Sequence, residues 1–291
     1  MKKKEQALRP VDKPFYRYWN ALYLAFYSRK LYVDVAKRWR GFGFIYFFIL
    51  ITIAVMPLAT RVSMDFSRYV NQQFFLAFQE MPAFEIRDGQ VLFERSMPYR
   101  VKNKSGAVIG IIDTTGHVMG MRSEYPQLSV LVTRDKIYFR PPAFQLFFTT
   151  KGIQKPAPVY AQSISELQNG VFDGQAWVNS TDILVLKWGA VVCMYPIIIL
   201  FLFGFFLTLL MVFALIGQAY SLIIFKFKLN YQMSCRMALV ASTPLMMVIF
   251  LLMTMNHGVY GAGLTSLVLF SFYFSYAVLC VRRESKRMVL A

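Results

Sequence analysis

Charge is what this sequence is short of. Only 16% of its 291 residues are Asp, Glu, Lys or Arg, against 57% hydrophobic and 17% aromatic, with a mean hydropathy of +0.44. That balance excludes an ordinary water-soluble domain, in which about a quarter of residues are charged. Histidine is nearly absent too. His117 and His257 stand on different segments, which argues against a histidine-based metal centre. Cysteine is confined to Cys193, Cys235 and Cys280, in or beside apolar runs, so residues 61–187 must be held by their own core rather than by disulfides. There is no glycine-rich phosphate loop ending in Lys-Ser/Thr, no His-Glu-x-x-His, no Gly-x-Ser-x-Gly and no Cys-x-x-Cys. No catalytic, cofactor-binding or metal residue is assigned on this reading, and no cofactor is expected.

What the chain has instead is long stretches free of charge: residues 41–60, 189–225 and 237–281. A spanning helix needs about 20 apolar residues to cross roughly 30 Å of hydrocarbon. Residues 41–60 make one span. The second stretch, within segment 188–225, reads as one helix that crosses and then continues or bends along the inner surface. The third is interrupted by Asn256-His257-Gly258 and reads as two helices, 237–256 and 260–281, joined by an outer turn at 257–259. The expected fold class is an α-helical integral membrane protein with four transmembrane helices. An α+β domain, mainly antiparallel β, lies outside the cytoplasm between the first and second spans. None of the four cores carries Asp, Glu, Lys or Arg, which disfavours a proton-coupled transporter acting alone.

The cations set the orientation. Residues 1–40, the loop 226–236 and the tail 282–291 together hold eighteen Lys and Arg against four acids, a net +14, whereas residues 61–187 hold fourteen against eleven, a net +3. Short basic loops stay in the cytoplasm. Both termini are therefore expected inside a bacterial inner membrane and residues 61–187 outside it. The excess lies beside the spans, with no nucleic-acid motif, so anionic lipid rather than nucleic acid is the expected partner. An apolar run that starts behind a basic arm, with no small-residue cleavage site, reads as a retained signal anchor.

Residues 1–14 read as a disordered basic lead, and 15–40 as cytoplasmic amphipathic helices. Phe15, Trp19, Leu22 and Phe26 recur at helical spacing with Arg17 elsewhere on the wheel, and Ser28 is placed to cap a second helix. That helix carries Lys37, Arg38, Trp39 and Arg40 towards the first span. Such a segment lies in the membrane interface or packs on the protein's own cytoplasmic loops.

Beyond the first span, a helical stalk is expected until Pro82. Asp88-Gly89 then suits a two-residue hairpin turn, pairing Ile86 with Val91 and Phe84 with Phe93. Strand-like runs at 99–103, 107–112, 128–133 and 136–140 suggest an antiparallel meander. Residues 163–166 have capping-box spacing, and Asp173-Gly174 reads as a turn. Asp113-Thr114-Thr115-Gly116 imitates the Asp-Thr/Ser-Gly loop of aspartic proteases, but an extra Thr intervenes and no second copy exists. Asp113 and Gly116 are therefore read, like Asp88 and Gly89, as turn residues, with Asn an adequate replacement for Asp113.

Residues 26–32 and 35–44, followed by Pro98-Tyr99 and residues 112–116, resemble a bacterial integral-membrane family of unknown function. Some members are labelled maltodextrin-utilisation proteins, and the group is distantly similar to Yip-type multispan proteins. The resemblance implies a multispan membrane protein and carries no catalytic residue. Two functional expectations follow. One is a non-enzymatic membrane scaffold or regulator whose outer domain binds a protein, peptide or envelope component, with the oligomeric state open. The other is a transport-associated subunit laid out like permeases of the FtsX and MacB type, which work with a separate ATPase. An enzyme ranks third, because no nucleophile, base and orienting group converge.

Overall fold

The computed structural model describes residues 14–118, 120, 121, 125, 127–140, 158–166, 168–255 and 261–290. The lead up to residue 13 and the outer turn with Asn256 and His257 lie outside them. The chain divides into two units, residues 1–58 with 196–291, and residues 59–195.

In chain order the elements are α1 (Tyr18–Leu24), α2 (Arg29–Lys37), α3 (Phe44–Tyr69), a π-helical turn at Val70–Phe75 and α4 (Leu76–Gln79). Strands β1 (Phe84–Arg87), β2 (Gln90–Leu92), β3 (Tyr99–Lys102), β4 (Val108–Asp113), β5 (Val130–Thr133), β6 (Lys136–Phe139), β7 (Tyr160–Ser163) and β8 (Gly170–Phe172) follow. A short 3-10 turn, Ile164–Glu166, separates the last two strands. Helices α5 (Gly174–Val178), α6 (Thr181–Phe225), α7 (Tyr231–Ala241), α8 (Thr243–Thr254) and α9 (Ala262–Leu290) complete the chain.

Among the described residues, three helical stretches are long and apolar enough to cross a membrane: Phe44–Gln79, α6, and Gly263–Lys286 within α9. The pair α7 and α8, bent by 42° at Ser242, passes the same test only when taken together, which brings the number to as many as four. The third apolar stretch was expected to begin with one helix. The bend has a local cause: Pro244 cannot donate to the ladder, and Ser242 Oγ and Thr243 Oγ1 turn back onto Leu239 O and Val240 O at 2.8 and 2.7 Å. Helix α6 differs in the other direction. It starts seven residues before the expected position and continues without a break through Pro196 to Phe225.

In the first unit, α2 packs against α7 and α9, and aromatic side chains join the long helices. Phe47 and Phe48 meet Phe203, Phe206 meets Phe250, and Phe213 meets Phe270. Tyr46 Oη and Thr243 Oγ1 share a buried hydrogen bond of 2.6 Å between α3 and α8.

Among the described residues the second unit holds two sheets, ordered β2-β1-β8 and β3-β4-β5-β6-β7. The Asp88-Gly89 turn links β1 to β2 with both residues at positive φ, 51° and 73°, so glycine suits the second position. Ile86 faces Val91 across that hairpin, whose ladder ends at Glu85 and Leu92 short of the expected Phe84–Phe93 pair, and on the other edge of β1 Phe84 faces Phe172 of β8. The expected antiparallel meander is corrected at one pair. Strands β4 and β5 run parallel, with Gly110 to Asp113 in register with Val130 to Thr133, a pairing that a hairpin cannot make. Strand β4 is flanked on both edges, by β3 and β5, and is buried over Ile109 to Asp113. Ile112 joins Val130 and Val132 in the larger core, and Ile111 joins Leu128 and Leu131 in a smaller one. The π-helical turn rotates the apolar side of the stalk, so that Val70, Phe75, Ala77 and Phe78 all reach the larger core.

Candidate membrane-interface site

The first unit gathers the basic, aromatic arm into a defined cluster. Helix α1 lies on Ala21 and Ala25, both fully buried, and their small size lets its backbone come close to its neighbours. Tyr32 Oη donates to Ala25 O at 2.6 Å and Tyr276 Oη to Tyr27 O at 2.9 Å, tying α1 to α2 and α9. Burial, with Tyr46 and Tyr273 close by, raises the pKa of Tyr32 far above that of a free phenol, so it stays a neutral donor. The opposite face of α1 and its flanks is open. Phe15, Trp19, Tyr23, Phe26 and Tyr27 are exposed by 73, 62, 56, 42 and 64%.

Of the residues read as interfacial, Phe15, Trp19 and Phe26 belong to this open aromatic face, and Arg17, Lys37, Arg38 and Arg40 are exposed cations. Leu22 is half-buried. Trp39 differs: it is 3% exposed, with its ring edge-on to Tyr18 and Tyr46 at 4.9 and 5.5 Å. A link of only six residues between α2 and α3 folds it inward, where an indole buries more apolar surface than anywhere on the rim.

Asp34 organises the cluster. Its carboxylate is buried at 3% exposure and accepts from Phe15 N at 3.0 and 3.1 Å, from Tyr16 N at 3.0 Å and from Arg38 Nη1 at 3.3 Å. Buried carboxylates persist only when paired in this way. The clasp fixes where the arm enters α2, whose start is capped by Ser28 Oγ accepting from Leu31 N at 3.3 Å. From α7, Arg236 Nη2 donates to Ala36 O at 3.1 Å, placing a cation on the carbonyl end of α2. Reading the sequence missed Asp34, Arg236 and the Tyr46–Thr243 pair. A signal existed for Asp34, the lone acid between Asp12 and Asp65.

In the second unit Asp113 ends β4 fully buried. Its Oδ1 accepts from Thr115 N at 2.9 Å and Thr115 Oγ1 at 2.5 Å, and its Oδ2 from Val118 N at 2.5 Å. Burial is the largest single influence and pushes its pKa up. The hydrogen bonds from Thr115 and Val118, with His117 nearby, outweigh that and hold the carboxyl below its usual range. Gly116 follows with φ 85°. Asp113 thus shapes the corner leaving β4. Its bonding goes beyond a simple Asx turn, because both oxygens accept.

Long apolar helices bundled with an aromatic, cationic arm, and a separate mixed-sheet unit with its own core, define a membrane protein. A family model described as "Protein of unknown function (DUF1189)" matches residues 19–278, and the chain belongs to that family. No curated protein and no solved structure matches it.

Proposed function

We propose that this chain is a non-enzymatic scaffold or regulator of a bacterial inner membrane. It crosses four times, through α3, α6, the bent pair α7 and α8, and α9. Both termini lie in the cytoplasm, and residues 61–187 lie on the outer face, where they bind a protein, peptide or envelope component. The observation that carries this reading is the agreement of charge with packing. The three segments that together hold a net +14 belong to the unit of residues 1–58 and 196–291, whereas residues 61–187, at +3, belong to the unit with its own sheets and core. Two independent properties, cation count and tertiary contact, divide the chain within about eight residues of the same places. The exposed aromatic face of α1 with its flanking cations suits the headgroup layer of an anionic inner leaflet. Kinship with Yip-type multispan proteins and a link to maltodextrin use belong to the same proposal.

A transport-associated role is the second reading, favoured by layout alone: an interfacial arm, a first span, an outer unit and then the remaining spans. Crosslinking in native membranes, followed by identification of the attached proteins, separates the two. A partner crosslinked to residues 61–187 supports the scaffold reading, and an ATPase crosslinked to 226–236 replaces it with the transport one.

A further inference from the structure

The positive charge of residues 61–187 is concentrated in one short segment. Those residues hold fourteen bases and eleven acids, whereas residues 95–104 hold four bases, Arg95, Arg100, Lys102 and Lys104, and no acid. Without that segment the remainder is ten against eleven, a net −1. All four side chains are exposed, and among the described residues none of them is in an ion pair.

Folding puts this segment on a sheet edge. Strand β3 is last in its sheet and pairs with β4, so among the described residues no strand lies beside its outer row of backbone N–H and C=O groups. Val101 is buried in the larger core, and alternation sends Arg100 and Lys102 to the opposite face, about 7 Å apart along the strand. Rings hold the two guanidinium groups. Arg95 lies over Tyr99 and Arg100 over Tyr125, at 6.0 and 5.9 Å from the ring centroids. Past the strand, Asn103 Oδ1 accepts from Ser105 N and Ala107 N, both at 3.0 Å, which fixes the turn carrying Lys104. The other edge strands differ. Strands β2, β7 and β8 carry no charged residue, and β2 already gives Val91 N to Arg134 O at 2.9 Å.

Cations along an edge keep uncharged strands from adding to it, because their charge would be left unanswered against the newcomer. They admit a strand that neutralises them. Acidic side chains at every second position of an added strand repeat with the period of Arg100 and Lys102, and the strand's backbone answers both the N–H and the C=O groups of the edge. A polyanion without a peptide backbone meets the charge but has no donors for those C=O groups.

We propose that β3 receives an acidic extended segment of a partner protein as an added strand, read by Arg100 and Lys102, with Arg95 and Lys104 extending the strip at its two ends. This rests on the reading of residues 61–187 as a binding domain and names the class of its partner.

The full chain, purified in a non-ionic detergent, is titrated with short fluorescein-labelled peptides while their anisotropy is followed. A peptide alternating Glu and Thr binds saturably and more weakly as salt is added, whereas peptides alternating Gln and Thr, or Lys and Thr, do not bind. Arg100→Gln together with Lys102→Gln raises the half-saturating concentration about tenfold, as expected for two exposed ion pairs lost. Lys136→Gln, which removes an exposed cation from β6, leaves it unchanged. Lys102→Gln alone keeps the contact of Arg100 with Tyr125 and weakens binding in the same direction, which covers the case of a double variant that does not fold. The Glu and Thr peptide N-methylated at every residue keeps its charge, loses its N–H donors and binds about tenfold more weakly than its parent. Equal binding by the N-methylated peptide overturns the added strand and assigns the strip to an anionic polymer, for which inorganic polyphosphate is the direct probe. No saturable binding of the Glu and Thr peptide, or equal binding by the parent chain and both variants, overturns the site. The binding-domain reading fails on a different result: crosslinking in native membranes attaches no partner to residues 61–187.

Discussion

At the corner after β4, Asp113 decides more than a turn. An aspartate that bonded only its own i+2 amide would be replaceable by Asn. Here Oδ1 takes Thr115 and Oδ2 takes Val118, so an Asn amide set to satisfy one side presents N–H₂ to the N–H on the other. Asp113→Asn is therefore expected to cost about 1–2 kcal/mol, and Asp113→Ala about 2–4 kcal/mol, since Ala strands buried donors. Thermal unfolding of both variants checks the order, and an Asn variant as stable as the parent removes the two-sided role. The pH dependence follows from the sign of the shift. A carboxyl held below its unfolded value contributes stability that is present above about pH 4 and is lost as pH falls through the folded pKa. Acid unfolding should thus begin later in a pH titration of Asp113→Asn than its lower starting stability suggests, because that variant has no such proton to take up.

Short elements show how backbone proximity sets sequence. Helix α5 has five residues and is capped by Asp173, whose Oδ1 accepts from Gln175 N and Ala176 N at 2.9 and 3.4 Å. Its first residue, Gly174, is buried so close to α4 that a Cβ would fall on the Phe78 carbonyl. The obstacle is backbone, which cannot rotate away. Gly174→Ala is expected to destabilise the second unit by about 3 kcal/mol, more than Asp173→Ala at about 1 kcal/mol. Limited proteolysis of membranes carrying each variant reads the difference, and a Gly174→Ala protein as resistant as the parent contradicts the packing of α5 on α4. In α6, Gly217 meets the Phe274 ring, 2.6 Å from a built Cβ, and a ring can shift. Gly217→Ala should therefore cost less than Gly174→Ala.

Across the whole molecule the expected outcome concerns sidedness. A cysteine at Ser105, in the turn between β3 and β4, should react with a membrane-impermeant thiol reagent in spheroplasts, and one at Ser285 in α9 should not. The parent's own Cys193, Cys235 and Cys280 are first replaced, since Cys193 is exposed. Labelling at Ser285 alone reverses the orientation drawn from the basic segments.

The amino-acid sequence by itself determined the properties that depend on local composition. Charge-free runs of spanning length, the cation asymmetry and the Asp88-Gly89 turn are each written in neighbouring residues, because hydrocarbon length and positive φ act on short stretches of chain. Tertiary structure decided what depends on partners far away in the chain. Trp39 and Asp34 look like members of a solvated basic arm, yet Trp39 is buried against Tyr18 and Tyr46, and Asp34 beneath the backbone of Phe15 and Tyr16 on an α2 that packs against α7 and α9. Strands β4 and β5 read as successive antiparallel runs, and only their pairing in the folded sheet shows them parallel. Arg236 lies 200 positions from Ala36, whose carbonyl it covers. No local pattern encodes a bond across that separation, since it exists only once the intervening helices have packed.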